Sequence, residues 1–426
     1  MNILLLGSGG REHAIAWKIG QSPLCDALYI APGNAGTLEE GGNEALKLND
    51  FNSIKSFVIE NNIHFVIVGP EDPLALGIVD FFKNDLLLKN IPILGPDQYG
   101  AQLESSKDFA KQFMLRHNIP TAQYQTFTQS EKTQAEDYVR KHTLPIVMKA
   151  DGLAAGKGVV ICNSAEEALQ FLNEVWEDQK FGVSGNKVVI EQFLSGIELS
   201  VFALTDGKNY VILPNAKDYK RIGEGDQGLN TGGMGTVSPV PFADAKFMQS
   251  VEETIIKPTI QGLQDENINY KGFVFFGLIN VDGSPYVIEY NVRMGDPETE
   301  VVFPRIKDDI LPILFEAANG NLKTTSLAVH PEYAVCVIAV SGGYPEAYEK
   351  GKKIQGLEKV KDSIIFHAGT EENENGIYTT GGRVLAIVSM GDTIKAAQEK
   401  SYDALHKISF EKMNYRKDIG NDLLNY

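Results

Sequence analysis

The sequence predicts a multidomain protein of α/β and α+β class, with an open parallel α/β domain at its N-terminus and a small α+β domain at its C-terminus. Three observations carry that prediction. The 426 residues exceed what a single hydrophobic core ordinarily organises, so three or four domains are expected. Short apolar segments alternate with helical patterns over residues 1–100, the signature of a parallel sheet flanked by helices. Beyond about residue 325 the pattern changes to longer strands closed by one helix. The expected boundaries are 1–103, 104–325 and 326–426, with a smaller module at about 122–190.

In the first region the expected strands are Ile3–Leu6, Ala27–Ala31 and His64–Val68, with helices from Arg11 and Phe51 between them. The strands end in Gly7-Ser8-Gly9-Gly10, Pro32-Gly33-Asn34 and Gly69-Pro70-Glu71-Asp72, the edge at which open α/β sheets bind ligands. A helix is expected over Glu104–His117. Residues Ala122–Leu194 then read as strand, helix, strand, helix, strand. After Ser195 come longer strands, a polar glycine-dense loop over Tyr219–Gly235, and a strand pair at Gly272–Val281 and Pro285–Tyr290. A helix at Asp308–Asn319 leads to strands at Tyr333–Ser341, Ile364–Ala368 and Tyr378–Met390, and to a last helix over Asp392–His406.

Composition narrows the function classes. Apolar residues at 43% and charged residues at 22% suit a soluble globular chain. The 56 acids against 39 bases, a net charge of −17, argue against a surface for DNA or RNA, whose affinity comes from phosphate neutralisation by Lys and Arg. The 3 cysteines, Cys25, Cys162 and Cys336, have no paired spacing and read as reduced and structural. The apolar start is too short for a signal segment and no run approaches the roughly 18 residues that span a bilayer, so a cytoplasmic protein with no membrane partner is expected.

Several motifs carry chemistry. Gly7-Ser8-Gly9-Gly10-Arg11-Glu12 follows a strand and opens a helix, but Glu12 stands where a dinucleotide fingerprint needs its third glycine. The loop suits a sugar phosphate better than NAD. Asp151–Gly158 is one residue short of a Walker A loop and has Gly158 where the magnesium-binding hydroxyl belongs. It follows a strand whose period of two sets Lys149 beside a glycine-rich loop able to cover phosphate oxygens. Val188–Leu194 is a strand that turns polar, with Glu198 beyond it.

The segment Glu289–Glu298 is the most informative. In an extended strand Glu289, Asn291 and Arg293 share one face. A carboxylate and an amide oxygen suit Mg²⁺, which takes few protein ligands, and Arg293 adds a planar fork for a carboxylate. The segment Ala216–Arg221, with Asp218 and Lys220, and the glycine loop Asn230–Gly235 add an acid and cations.

Together, Gly7–Ala14, Val68–Leu74, Ser105-Ser106-Lys107, Lys149–Val159, Asn230–Gly235 and Glu289–Glu298 resemble the glycinamide ribonucleotide synthetase family of the ATP-grasp superfamily, end to end. The resemblance implies a central ATP-grasp domain with an inserted lid between the two outer domains. It implies that ATP, glycine and 5-phosphoribosylamine give glycinamide ribonucleotide, ADP and phosphate through glycyl phosphate, in purine biosynthesis. Another ATP-grasp carboxylate-amine ligase is the alternative.

The ATP-binding set it implies is Lys107, Lys149, Gly152, Gly156, Lys157, Gly158, the adenine hinge Glu191, Gln192, Phe193 and Leu194, and the ribose acid Glu198. Glu289 and Asn291 become Mg²⁺ or Mn²⁺ ligands, and Lys149, Arg293 and Lys220 the groups nearest the chemistry. Gly9, Gly10, Glu71, Asp72, Asp218, Arg293, Asp296 and Glu298 are the expected substrate contacts. The expected partners are these small molecules alone, and a monomer is favoured. Met294, Leu229 and Glu300 depart from the family, which commonly has an aromatic, a proline and a glutamine there.

Overall fold

The structure is a computed structural model that describes residues 1–153 and 158–426. The N-terminal apolar runs form β1 (Asn2–Gly7), β2 (Ala27–Pro32), β3 (Gly42–Asn43), β4 (Phe65–Val68) and β5 (Ile93–Leu94), with α1 (Gly10–Gly20) and α2 (Phe51–Glu60) as crossovers. The sheet order is β3-β2-β1-β4-β5 and its mapped pairings are all parallel. Ile3–Leu6 and Phe65–Val68 are buried throughout, as strands covered on both faces must be.

The expected helix at Glu104–His117 is split into α3 (Gln102–Ser105) and α4 (Lys107–Arg116). Between them Ser106 is extended, and its Oγ accepts the Phe109 N–H at 3.1 Å, so a new helix starts on a serine cap. Asp151 holds this joint by accepting the Asp108 N–H at 2.8 Å and the Ser106 hydroxyl at 3.1 Å.

A separate four-stranded antiparallel sheet follows. It comprises β6 (Tyr124–Thr128), β7 (Ile146–Ala150), β8 (Val159–Cys162) and β9 (Lys187–Gln192) in the order β6-β9-β7-β8, backed by α5 (Lys132–Lys141) and α6 (Ala165–Trp176). The strand β8 is an addition to the sequence reading, which ran the glycine loop directly into a helix. The apolar cluster between sheet and helices, with Ile146, Met148, Ala168, Leu172 and Val188 all at 0% exposure, draws only on residues of this module.

The second antiparallel sheet contains β10 (Ile197–Thr205) and β11 (Tyr210–Ile212). Next along the chain are β12 (Lys217–Asp218), the hairpin of β13 (Arg221–Gly223) and β14 (Gln227–Asn230), and β15 (Gly235–Ser238). Then β16 (Gly272–Val281) and β17 (Ser284–Asn291) complete the order β11-β10-β16-β17. The helices α7 (Thr299–Arg305) and α8 (Ile310–Asn319) lead out of it.

The last sheet combines β12 and β15 with β18 (Tyr333–Val340), β19 (Ile364–His367) and β22 (Arg383–Gly391), in the order β12-β15-β18-β22-β19. Between β19 and β22 lies the hairpin of β20 (Thr370–Asn373) and β21 (Gly376–Thr379), and α9 (Ile394–Leu405) covers the sheet. Two strands from the central region are thus built into the C-terminal sheet. One apolar cluster runs from Ile3 and Ile15 through Val302 to Val337 and Ile387, so the outer domains share a core. Cys25, Cys162 and Cys336 are free thiols, and among the described residues no helix is long and apolar enough to cross a membrane.

The self-contained core of the small module generates a prediction. Leu172→Ala should cost about 2–5 kcal/mol, and the loss should be local. Amide hydrogen exchange is expected to accelerate across residues 124–192 while β1 and β4 keep their protection; uniform acceleration would show that the module does not unfold independently.

Candidate active site

A cleft of about 420 Å³ opens where the small module, β17, α4 and the loops of the first sheet converge. Its chemistry is built by elements that start or stop there. Lys107 and Lys111 lie one turn apart on α4 and so share a face. Lys149 on β7 and Glu191 on β9 are diagonal neighbours, because the register sets Val147 against Glu191 and Lys149 against Val189.

Glu191 is 3% exposed and lies between two ammonium groups, Lys111 Nζ and Lys149 Nζ, each at 2.8 Å. Lys111 also donates to Thr121 Oγ1 at 2.7 Å, and burial brings its ammonium down to about 8. Lys149 Nζ donates to the Ile288 carbonyl at 3.3 Å, and Lys107 Nζ to the Gly152 carbonyl at 3.1 Å. Two ammonium groups thus flank one buried carboxylate, and the Lys107 ammonium lines the same cleft. The excess positive charge, in a recess shielded from water, suits a ligand carrying several negative charges.

Opposite them β17 carries Glu289 and Asn291, both lining the cleft. The pairing shifts at this point, since Leu278 faces Val287 but Gly277 faces Glu289, which leaves Ile288 as an extra residue. The bulge lies at the cleft, which Ile288, Glu289, Tyr290 and Asn291 all line, and the Ile288 carbonyl there accepts from Lys149 Nζ. Gly277 completes the fit, since a Cβ there would stand 3.1 Å from Glu289 Cγ. Among the described residues no group of three His, Cys, Asp or Glu side chains is placed to hold an ion. Two hard oxygen donors beside a cation-rich recess nevertheless match the needs of Mg²⁺, whose shell is completed by water and phosphate oxygens.

At the other end, Arg293 lies just beyond β17 and grips carboxylates of the chain itself: Glu71 Oε2 at 3.0 Å and Glu104 Oε1 at 2.6 Å. The sequence reading offered this fork to a ligand; in the structure it ties the first sheet to β17. Burial raises the Glu104 carboxyl to about 7 against the pull of Arg293. Glu71 is lowered in spite of its burial, because Arg293 and Arg11 both face it.

The glycine loop before α1 is capped from within. Glu12 Oε2 accepts the Gly9 N–H at 2.6 Å, and its side chain fills the space beside Gly7 and Gly69. The Arg11 N–H is directed at Asp296 Oδ2, at 3.4 Å. Asp296 in turn pairs with Arg383 Nη2 at 3.0 Å, so residues from all three regions of the chain meet at this carboxylate. A second recess of about 380 Å³ adjoins it, lined by Gly9, Asn34, Tyr344, Thr370, Asp296 and Arg383.

Of the residues expected from sequence, the main cleft gathers Lys107, Lys149, Gly158, Glu191, Asp218, Lys220, Glu289, Asn291, Glu71, Arg293, Asp296 and Glu298. Gly9 lines the second recess, and Gly10 packs against Glu300. Asp72 is exposed, and it lines neither recess, as is also true of Gly152, Gln192, Phe193, Leu194 and Glu198. Glu198 does bind Lys220, which faces the cleft, at 2.6 Å. Gly156 and Lys157 lie outside the described residues. Sequence reasoning passed over Glu104, Lys111 and Arg383. The four-residue spacing of Lys107 and Lys111 was a usable signal for one of them.

Glu298, 4% exposed, accepts from Ser200 Oγ at 3.0 Å, and burial followed by the nearby Asp218 carboxylate raises it to about 7 from its usual 4.5. The native state therefore binds more protons than the unfolded chain between those values. Stability supplied by this group is present below 4.5 and is lost as the pH rises through 7. Denaturation midpoints of the wild type, measured against Glu298→Gln, are expected to fall across that window; parallel curves would contradict the assignment.

Three family models match the chain: the phosphoribosylglycinamide synthetase N domain over residues 1–104, its ATP-grasp (A) domain over 105–299, and its C domain over 334–422. A phosphoribosylamine–glycine ligase of Neisseria meningitidis serogroup B is 45% identical over 428 aligned residues, covering 100% of both chains. The crystal structure of the phosphoribosylamine–glycine ligase of Thermotoga maritima superposes with a TM-score of 0.86 at 35% identity, covering 98% of this chain and 100% of that one. The biotin carboxylase domain of Hydrogenobacter thermophilus 2-oxoglutarate carboxylase, solved with MgADP and bicarbonate, shares the fold with a TM-score of 0.72 at 15% identity, covering 97% and 91%.

Proposed function

Since the chain belongs to the phosphoribosylglycinamide synthetase family, we propose that this cleft joins glycine to 5-phosphoribosylamine with ATP, giving glycinamide ribonucleotide, ADP and phosphate in purine biosynthesis. The observation that carries the reading is the arrangement of Lys107, Lys111 and Lys149 opposite Glu289 and Asn291. Cations facing hard oxygen donors in one cleft support a reading in which a triphosphate meets a carboxylate there. A cytoplasmic location belongs to the same proposal.

In the first step a glycine carboxylate oxygen attacks the γ-phosphorus, the bond to the bridging oxygen breaks, and ADP leaves. Lys149 and Lys107 hold phosphate oxygens and offset the charge that spreads over them. Glu289 and Asn291 hold Mg²⁺ or Mn²⁺, which when bound supplies further neutralisation of the phosphates. In the second step the amine of phosphoribosylamine attacks the carbonyl of glycyl phosphate, loses a proton, and phosphate departs. Neither step needs a nucleophilic side chain.

The protein's part is placement and the exclusion of water, and such placement is worth roughly 7–11 kcal/mol in favourable cases. Glu71, Asp218, Asp296 and Glu298 surround the end of the cleft where the acceptor amine enters, and the Gly9–Gly10 loop lies beside it. The end of β9, from Glu191 to Leu194, would border the adenine, with Glu198 taking the ribose hydroxyls once Lys220 releases it.

Release of ADP with freshly made phosphoribosylamine and a panel of amino acids tests donor, acceptor and nucleotide together. Hydroxylamine should trap a glycine-dependent hydroxamate; bicarbonate dependence in its place would point to a carboxyphosphate enzyme. Glu289→Ala is expected to lower turnover roughly a hundredfold or more while circular dichroism and melting stay unchanged. Near-normal turnover at saturating Mg²⁺ would overturn the metal assignment.

A further inference from the structure

Glu300 is a buried acid that the chemistry above leaves without a task. It lies in the first turn of α7 at 1% exposure, and neither carboxylate oxygen meets a hydrogen-bond donor among the described residues. One side of it packs against the start of α1, where a Cβ on Gly10 would come within 2.4 Å of Glu300 Oε1. The other side faces Asp296, close enough for a side-chain hydrogen bond between the two acids. Further ionisable neighbours are Arg383, Glu298 and the buried Cys336.

Charge must be assigned across this pair. An ionised carboxylate without a partner is costly to bury, by several kcal/mol, and two carboxylates that share a dry site do not both ionise. Asp296 has compensation for its charge, from Arg383 Nη2 at 3.0 Å and the Arg11 N–H at 3.4 Å. Among the described residues Glu300 has no cation in contact. Burial, and then Asp296, push its carboxyl well above the usual range, while Arg383 and the Glu300 backbone N–H pull the other way without prevailing. The proton of the pair therefore belongs on Glu300.

We propose that Glu300 is a neutral carboxylic acid whose O–H donates to Asp296, fixing that carboxylate where the Gly9–Gly10 loop, Arg383 and the acceptor amine meet. It is a positioning residue, since it acts through Asp296 and does not reach the cleft. Its kinetic consequence rests on the proposed reaction; its protonation rests on burial and contacts alone.

Two measurements separate those dependences. In infrared difference spectra between the wild type and Glu300→Gln near neutral pH, the wild type should show the carbonyl band of a neutral carboxylic acid that the variant lacks. No such band would mean that Glu300 is ionised and would overturn the proposal. In kinetics, Glu300→Gln keeps the shape and a donor, and should hold kcat and every KM within about twofold of wild type. Glu300→Ala should raise the KM for phosphoribosylamine roughly tenfold, leaving the KM values for ATP and glycine within about twofold. Equal impairment of Glu300→Gln and Glu300→Ala would overturn the positioning role. Should Glu300→Ala fail to fold, the spectrum and Glu300→Gln still decide. A neutral-acid band in a protein that ligates other substrates would leave the proton in place and refute the proposed reaction instead.

Discussion

The carboxylate of Glu191, buried between the ammonium groups of Lys111 and Lys149, is the contact on which the cleft depends. It joins three elements at once, with Glu191 on β9, Lys149 on β7 and Lys111 on α4 outside the small module. Burying such a triad yields little net stability, because desolvation of each charge consumes most of the attraction. Breaking it is another matter, since a lone buried charge costs about 3–5 kcal/mol. What the triad provides is geometry under surplus positive charge. The single acid cannot neutralise both lysines, and Lys107 stands beside them, so an anionic ligand completes a balance that the fold leaves open.

The opposite end of the cleft follows a different rule. There the acids outnumber the available cations, and the structure meets the excess by pairing some and protonating others. Arg293 serves Glu71 and Glu104, and Arg383 serves Asp296, while Glu104 and Glu298 are raised to about 7 by burial. A cation-rich end and an acid-rich end, joined by the short span from Glu289 to Asp296, provide two electrostatic environments in one cavity. Phosphoryl transfer suits the first, and reception of an amine suits the second.

Much of this was legible in the sequence where chemistry follows local period. The parallel first sheet, the pairing of β16 with β17, and the shared face of Glu289 and Asn291 all follow from alternation. The bulge at Ile288 did not, because its only trace is a register set by a partner strand. Arg383 and Glu104 escaped for a related reason: their partners lie 87 and 189 residues away, and no single-chain pattern couples such positions. Glu12 marked the departure from a dinucleotide loop, but that its carboxylate caps the Gly9 N–H became visible only with coordinates. The departure at Glu300 from a common glutamine was visible in the sequence, but its surroundings were not. The structure puts it against Gly10 and Asp296, where a change of charge matters more than a change of shape.

The distribution of cores determines which part of the enzyme is able to move. The first and last sheets share an apolar cluster, and β12 and β15 are stitched into the C-terminal sheet, so displacing either domain would open buried hydrocarbon to water. The small module has a cluster of its own. Its ties to the remainder include many polar ones, among them Lys111 to Glu191 at 2.8 Å, Lys187 to Asp108 at 2.6 Å, Asp151 to the Asp108 N–H at 2.8 Å, Lys107 to the Gly152 carbonyl at 3.1 Å and Lys149 to the Ile288 carbonyl at 3.3 Å. Polar contacts exchange for water at a net cost near 1 kcal/mol each, far less than exposing a core. The lysines proposed to meet the phosphates therefore also tie the module to the rest of the chain. A nucleotide that recruits Lys107 and Lys149 competes with those ties, which couples its binding to the module's position without any further device.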